Sequence, residues 1–326
     1  MLTPWLNGSR MLPPWLALVI LLGLQLASLP FLLKLHFNNA ADIYSPADAP
    51  IIQLRESLFR EFPNDEALIA LFEGDQLFSP AFLGALDRVA KKLESHPSVD
   101  RVLTLTTVEH IDATDDGFAV SLLVDPDDLA ARSPAEWKAR VLGDTLAPGV
   151  IASKDGEAIA LAVRPKVLKE SLARLDIQIA LDAAIAAEKI DVYRTATAGT
   201  VAQTVEELRS LWRDSSIFIP LTIVIGLALM WWVVGRVRPM IVGGLAMGMV
   251  VSVSVAGIVI SGQPYTPITA MIPTLMAAYT TATLLHLYAA IQRARIALLP
   301  RQQRIARALS ETFVPGLFNV LTTGAG

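Results

Sequence analysis

The 326-residue sequence contains no cysteine. That removes thiolate metal sites, cysteine nucleophiles and a disulfide-stapled fold from consideration. Charge is sparse as well: 18% of residues are Asp, Glu, Lys or Arg, against 53% apolar, and mean hydropathy is +0.49. Part of the chain is therefore too apolar for water, which excludes a soluble cytosolic enzyme or a disordered chain as a description of the whole. The scarcity of acid is also local. Of 31 acidic residues, 30 lie between Lys34 and Ser215, with 19 of the 27 basic ones, so this segment carries a net −11 and the remainder +7. Gly-rich phosphate loops, Gly-x-Ser-x-Gly elbows and zinc-protease helices are absent too. The sequence points to no enzyme, no cofactor, no metal and no nucleic-acid partner.

What is present is lipid-compatible. Three charge-free runs stand out: Met11–Leu33 (23 residues), Ser215–Gly235 (21) and Pro239–Gln292 (54). One crossing takes about 20 apolar residues. The third run would be roughly 80 Å long as one helix, so the turn signal at Ser261–Pro267 divides it. The predicted spans are 13–33, 216–234, 240–260 and 268–291, after a cytoplasmic amino terminus at 1–12. The basic remainder is all arginine: Arg10, Arg236, Arg238, Arg293, Arg295, Arg301, Arg304 and Arg307. With the amino terminus inside, all eight fall on the cytoplasmic side, as the positive-inside rule requires. Trp15, Trp212, Trp231 and Trp232 mark predicted span ends, where amphipathic rings favour the headgroup level. The first run exceeds a signal peptide's roughly 7–15-residue apolar core and no Ala-x-Ala follows, so it reads as a retained anchor. Arg293–Arg307, with Ile296, Leu298, Leu299, Ile305 and Leu309, reads as an amphipathic helix on the inner surface over 292–312. Residues 313–326 read as the start of a fifth span cut mid-helix, and so as part of a longer chain.

Between spans one and two lie 182 acidic residues, 34–215, of globular composition. Strand signals fall at Ala67–Phe72, Val99–Val108, Phe118–Val124, Ala158–Val163 and Asp191–Ala196. Ser79-Pro80 and Ser133-Pro134 each offer an N-cap followed by proline at the first helical position, opening helices to about Ser95 and Leu146. Leu168–Ile190 reads as a long helix, and Val201–Arg213 as one running directly into span two. Val150–Ala152 and Ala158–Val163 flank Lys154-Asp155-Gly156, a hairpin signal. Two strand–helix–strand rhythms with hairpins predict two ferredoxin-like α+β subdomains. Glu109-His110-x-Asp112 with Asp115 and Asp116 reads as a solvated turn in preference to a metal site. Asp125-Pro-Asp-Asp128 reads as a helix-entry turn.

Span four gathers polar side chains: Thr266, Thr269, Thr274, Tyr279, Thr280, Thr281, Thr283, His286 and Tyr288 lie in or beside it. Such groups are expensive in hydrocarbon, so this helix is expected to face the bundle interior or a wet cavity. Thr280, Thr281, Thr283 and His286 are the candidates for a transport or proton path. The threonines equally serve as helix glue by bonding their own i−4 carbonyls, and His286 equally serves as an interfacial side chain. In span three, Gly244 and Gly248 form a Gly-x-x-x-Gly, which reads as close helix packing, with Gly243 beside it.

This layout, one span, a large extracytoplasmic α+β domain, then clustered spans, resembles the amino-terminal half of resistance–nodulation–division (RND) transporters, in particular the mycobacterial-membrane-protein-large (MMPL)-like exporters. Ser45-Pro-Ala-Asp48 followed by Leu58-Phe-Arg-Glu-Phe-Pro63 looks like the opening of that branch's porter domain. His96-Pro-Ser-Val-Asp-Arg-Val102 looks like its helix-to-strand junction, and Val320-Leu-Thr-Thr-Gly-Ala-Gly326 like the start of its fifth span. The resemblance implies an α-helical membrane bundle of four complete spans and the start of a fifth, with a periplasmic porter-type domain, in the bacterial inner membrane. It also implies export of a lipid or other hydrophobic or amphiphilic substrate, driven by the proton gradient. The implied partners are a second transporter half, further copies of the chain or a periplasmic protein. The family's proton-carrying aspartate lies four residues before a histidine in span four. Matching that histidine to His286 puts the aspartate slot at Ala282, and no carboxylate occurs anywhere in 239–292. Two rivals share the plan: a non-pumping lipid- or sterol-sensing receptor, and a Sec-type translocation motor subunit. The motor's Gly-rich signature is not matched by Phe37-Asn-Asn-Ala-Ala41.

Overall fold

A computed structural model describes residues 13–40, 43, 49–62, 64–114 and 117–325. The chain divides into two compact units, residues 38–210 and the remainder.

The inserted unit is built on one four-stranded sheet. Strands β1 (Leu68–Glu73), β2 (Val99–Leu103), β5 (Ala158–Pro165) and β6 (Arg194–Ala198) are ordered β2-β5-β1-β6, every neighbouring pair antiparallel. Helix α3 (Pro80–Glu94) connects β1 to β2, and α5 (Ser171–Ala187) connects β5 to β6. This is one β-α-β-β-α-β, or ferredoxin-like, connection. The two predicted subdomains are thus corrected to one among the described residues. Local rhythm does not specify partners, and β5 from the second half slots beside β1 over six register pairs, from Leu68–Val163 to Glu73–Ala158. Alternation in β1 buries Leu68, Ala70 and Phe72, which meet Leu83, Leu86, Val89 and Leu93 of α3 and Ile177, Leu181 and Ile185 of α5 in one core.

Cap chemistry sets the helix starts. Ser79 Oγ accepts from the Phe82 N–H, and Ser133 with Glu136 forms a reciprocal capping box at α4 (Pro134–Gly143); each satisfies N–H groups the first turn would otherwise leave unpaired. Strand β2 stops at Leu103, short of the predicted Val108, because the Thr107 hydroxyl accepts from the Thr104 N–H (2.9 Å) and donates to the Val102 carbonyl (2.8 Å), folding the chain into a turn. Only Ala152 of the predicted 150–152 strand pairs, through isolated bridges to Pro148 and, across a turn whose Gly156 has φ +69°, to Ile159. Asp125 accepts from the Asp127 N–H and opens a 3-10 turn, Leu129–Ala131, instead of a full helix.

The predicted solvated turn at Glu109–Asp112 is a further correction. Glu109–Thr114 is strand β3, paired antiparallel with β4 (Gly117–Leu122) as a separate hairpin. His110 anchors it to the rest of the unit through Asp144. Asp115 and Asp116, and the Ser45–Asp48 motif, lie outside the described residues. Leu58–Glu61 of the companion motif belongs to helix α2 (Pro50–Glu61).

Among the described residues, four helices are long and apolar enough to cross a membrane: α1 (Pro14–Leu32), α6 (Thr200–Val234), α7 (Val237–Ile260) and α8 (Met271–Ile296). Helix α6 begins in the inserted unit and runs unbroken through its span, as the sequence predicts, with Pro220 inside. Helix α8 extends to Ile296, and the chain turns through Leu298 (φ +54°) into α9 (Arg301–Ala325). The boundaries therefore shift: Arg293 and Arg295 end α8, and one helix holds both most of the predicted amphipathic stretch and the predicted start of a fifth span. Helix α1 packs on α7, α7 on α8, and α8 on α9. The α7–α8 loop is closed against the segment after α1, where Phe37 meets Trp212 and Tyr265 edge-on at 5.6 and 5.2 Å and the Tyr265 N–H donates to the His36 carbonyl.

Candidate functional site in the membrane bundle

The sequence gathers its polar span residues on α8, and the fold sorts them by face. Thr281 is the one buried member of the four candidates; Thr280 is half-buried, and Thr283 and His286 are exposed on the bundle surface. The three-residue spacing does put Thr283 and His286 on one face, but it is the side turned away from Thr281. The expected inward orientation of this helix thus holds for Thr281 and not for His286.

Each hydroxyl closes on its own helix. Thr280 donates to the Met276 carbonyl (2.7 Å), Thr281 to Ala277 (2.9 Å) and Thr283 to Tyr279 (2.9 Å). This back-bonding satisfies a hydroxyl where no water is present. Thr281 Oγ1 also lies 3.0 Å from Met247 Sδ of α7. A relay needs hydroxyls handing protons to one another, and these three hand theirs to backbone carbonyls.

Around Thr281 the helices meet closely because glycine permits it. A Cβ built on Gly226 of α6 would lie 2.5 Å from Thr281 Oγ1 and 3.1 Å from Met247 Sδ. Gly243 makes room for Met230 of α6, Gly244 for Leu227 of α6, and Gly248 for Gln25 of α1. The Gly-x-x-x-Gly pair thus borders two neighbours, with Gly244 toward α6 and Gly248 toward α1. Gly226 and Met247 carry no motif, and a lone glycine in an apolar span is a weak signal; nothing in the sequence pairs Gly226 with Thr281.

Beside this contact, Thr222, Ile225, Gly226 and Leu229 of α6 and Ala278, Thr281, Ala282 and Leu285 of α8 line a cleft of about 220 Å³. Ala282, the aspartate slot of the resembled family, is on its wall. Thr222 donates to its own helix at Phe218, so both wall hydroxyls are internally satisfied and no wall residue is ionisable. The cleft can accept an apolar group and has nothing to exchange a proton with.

In the inserted unit the titratable geometry is structural. His110 Nδ1 and Asp144 Oδ2 are 2.5 Å apart, and the other Asp144 oxygen accepts from the Leu146 and Ala147 N–H groups. Burial pushes the Asp144 carboxyl up, but the His110 bond and the two backbone donors outweigh it and hold its pKa below the usual aspartate value. A polar cleft lined by Glu73, Asp75, Lys138, Asp155 and Glu157 is open and acidic. Among the described residues no cluster of three or more His, Asp or Glu could hold a metal ion. No protein-family model matches the chain, and no curated protein matches it either.

Proposed function

We propose that this chain works in transmembrane transport, as the amino-terminal half of an RND, MMPL-like exporter of a hydrophobic or amphiphilic, lipid-like substrate. The observation that carries the reading is the α6–α8 cleft: an apolar, charge-free recess between spans, beside a helix that is continuous with the inserted domain. Movement of the domain would be transmitted along α6 without an intervening loop. On this reading the domain is periplasmic, the amino terminus and arginines are cytoplasmic, and the membrane is the bacterial inner membrane. The spans here contain no carboxylate, so the carboxylates that take up protons belong to a second half of the transporter.

The test is lipid distribution in cells. Removing the gene should trap acetate-labelled lipid in the cytoplasmic membrane, restoring the full gene should reverse this, and a protonophore should abolish the reversal. An unchanged distribution after deletion refutes export. The absent carboxylate and the closed threonine hydroxyls also favour a second reading, a non-pumping lipid sensor. A sensor would leave lipid distribution intact while the purified protein still bound lipid.

A further inference from the structure

The inserted unit carries an amphipathic helix whose apolar face is exposed among the described residues. In α2, Ile51, Leu54, Leu58 and Phe62 just beyond its end follow three- and four-residue spacing, and all four are 46–61% exposed. No described residue of α2 is buried. Gln53 and Ser57 lie on the other side, and Arg55 sits over the Phe59 ring at 4.9 Å, its charge at the edge of the apolar arc. A stripe of this width in a water-facing domain implies a cover.

Chain connectivity limits what that cover can be. The first span ends at Leu32, and six residues later the chain is fixed into the domain. Asn38 Oδ1 accepts from Ser171 Oγ at 2.9 Å, and the Asn39 amide donates to the Thr204 carbonyl and Glu207 Oε2, both at 3.0 Å. Along α6, Glu207 is only about 12 Å of helix rise from Ser215, where the apolar run begins. From Ala40, ten residues of chain lead to Pro50 and can reach at most about 35 Å. Helix α2 is therefore tethered within reach of the bilayer that its own flanking helices enter. Charge favours the same occupant. The segment's net −11 opposes a second copy at this face, whereas α2 has two arginines and two glutamates and is neutral.

We propose that α2 is an interfacial helix, lying along the bilayer surface on the domain's side with Ile51, Leu54, Leu58 and Phe62 inserted among the acyl chains. This holds whether or not the chain exports lipid. The absence of native cysteine makes the test direct. Leu58→Cys and Ser57→Cys each give the 326-residue chain a single thiol, labelled with an environment-sensitive nitrobenzoxadiazole dye and reconstituted in phosphatidylcholine vesicles. Nitroxide-bearing phosphatidylcholine should quench the dye at 58 several-fold more strongly than at 57, aqueous iodide should do the reverse, and high salt should change neither. Leu54→Cys should repeat the result at a second site. Equal iodide quenching at 57 and 58 overturns the proposal. So does a dye at 58 that neither quencher reaches, because protein then covers the stripe.

Discussion

Gly226→Ala tests the helix contact at Thr281 most directly, because two effects of opposite sign compete. In a helix interior Ala is favoured over Gly by about 1 kcal/mol, so without tertiary contact the change would stabilise. The added Cβ, however, would lie 2.5 Å from Thr281 Oγ1, 3.4 Å from Thr281 Cγ2 and 3.1 Å from Met247 Sδ. Overpacking of this kind costs about 1–3 kcal/mol, and a contact as short as 2.5 Å belongs at the upper end of that range, so after the propensity gain a net loss of up to about 2 kcal/mol is expected. Thr281→Ala alone gives up a hydroxyl that contacts Ala277 and Met247, worth about 0.6 kcal/mol in a membrane bundle. The double variant removes both atoms the new methyl meets on α8. It should be no less stable than Thr281→Ala alone, with a coupling energy of about 1–2 kcal/mol. Reversible unfolding in mixed micelles, by titration with a denaturing detergent, measures all four species. Additivity within about 0.5 kcal/mol, or a stabilised single Gly226→Ala, refutes the α6–α8 contact.

Three further perturbations probe other parts of the chain. Gly199 opens α6 at φ +99°, and an added Cβ would overlap the Ala67 carbonyl; Gly199→Ala should cost upwards of about 2 kcal/mol, read as a lowered midpoint of domain unfolding. Asp144→Asn should weaken the β3–β4 hairpin's anchorage by about 2 kcal/mol at neutral pH, seen as faster amide hydrogen exchange in Glu109–Leu122. The Asp144 carboxyl is depressed in the fold, so its contribution is complete above the ordinary aspartate value of about 3.9 and is lost as pH falls through the lower folded value. The difference between wild type and variant should vanish there, and one that persists at still lower pH contradicts the assignment. His286 is exposed and turned away from Thr281, so on the proposed export reading His286→Ala should leave both export and folding unchanged, and slowed export would put the side chain on the transport path. Unchanged export would leave His286 an interfacial residue.

Much of the fold is written in local chemistry. The Ser79 and Ser133 caps, the β1 alternation and the continuous Thr200–Val234 helix follow from signals a few residues long, and the structure forms each of them. The β3 strand was hidden because its residues, Glu109-His110-Ile-Asp112, are mostly polar. What holds it is pairing with β4 and the His110–Asp144 contact, 34 residues apart in sequence. The candidate site divides the same way. The polar composition of span four is visible in the sequence, whereas the burial of Thr281 against Gly226 and the outward turn of Thr283 and His286 depend on which helices are neighbours.

The sequence by itself determined that four helices are apolar enough to cross a membrane, that the acid sits between the first two, and that no carboxylate lies in the long apolar run. These are matters of composition and of the cost of putting charge in hydrocarbon. Tertiary structure alone decided that both strand–helix–strand units share one four-stranded sheet, with β3–β4 as a separate hairpin, and that the span-four hydroxyls close on their own helix beside an apolar cleft. It also decided that the α2 stripe is exposed among the described residues. The physical reason is that periodicity records which face of an element is apolar, while only packing records what that face meets.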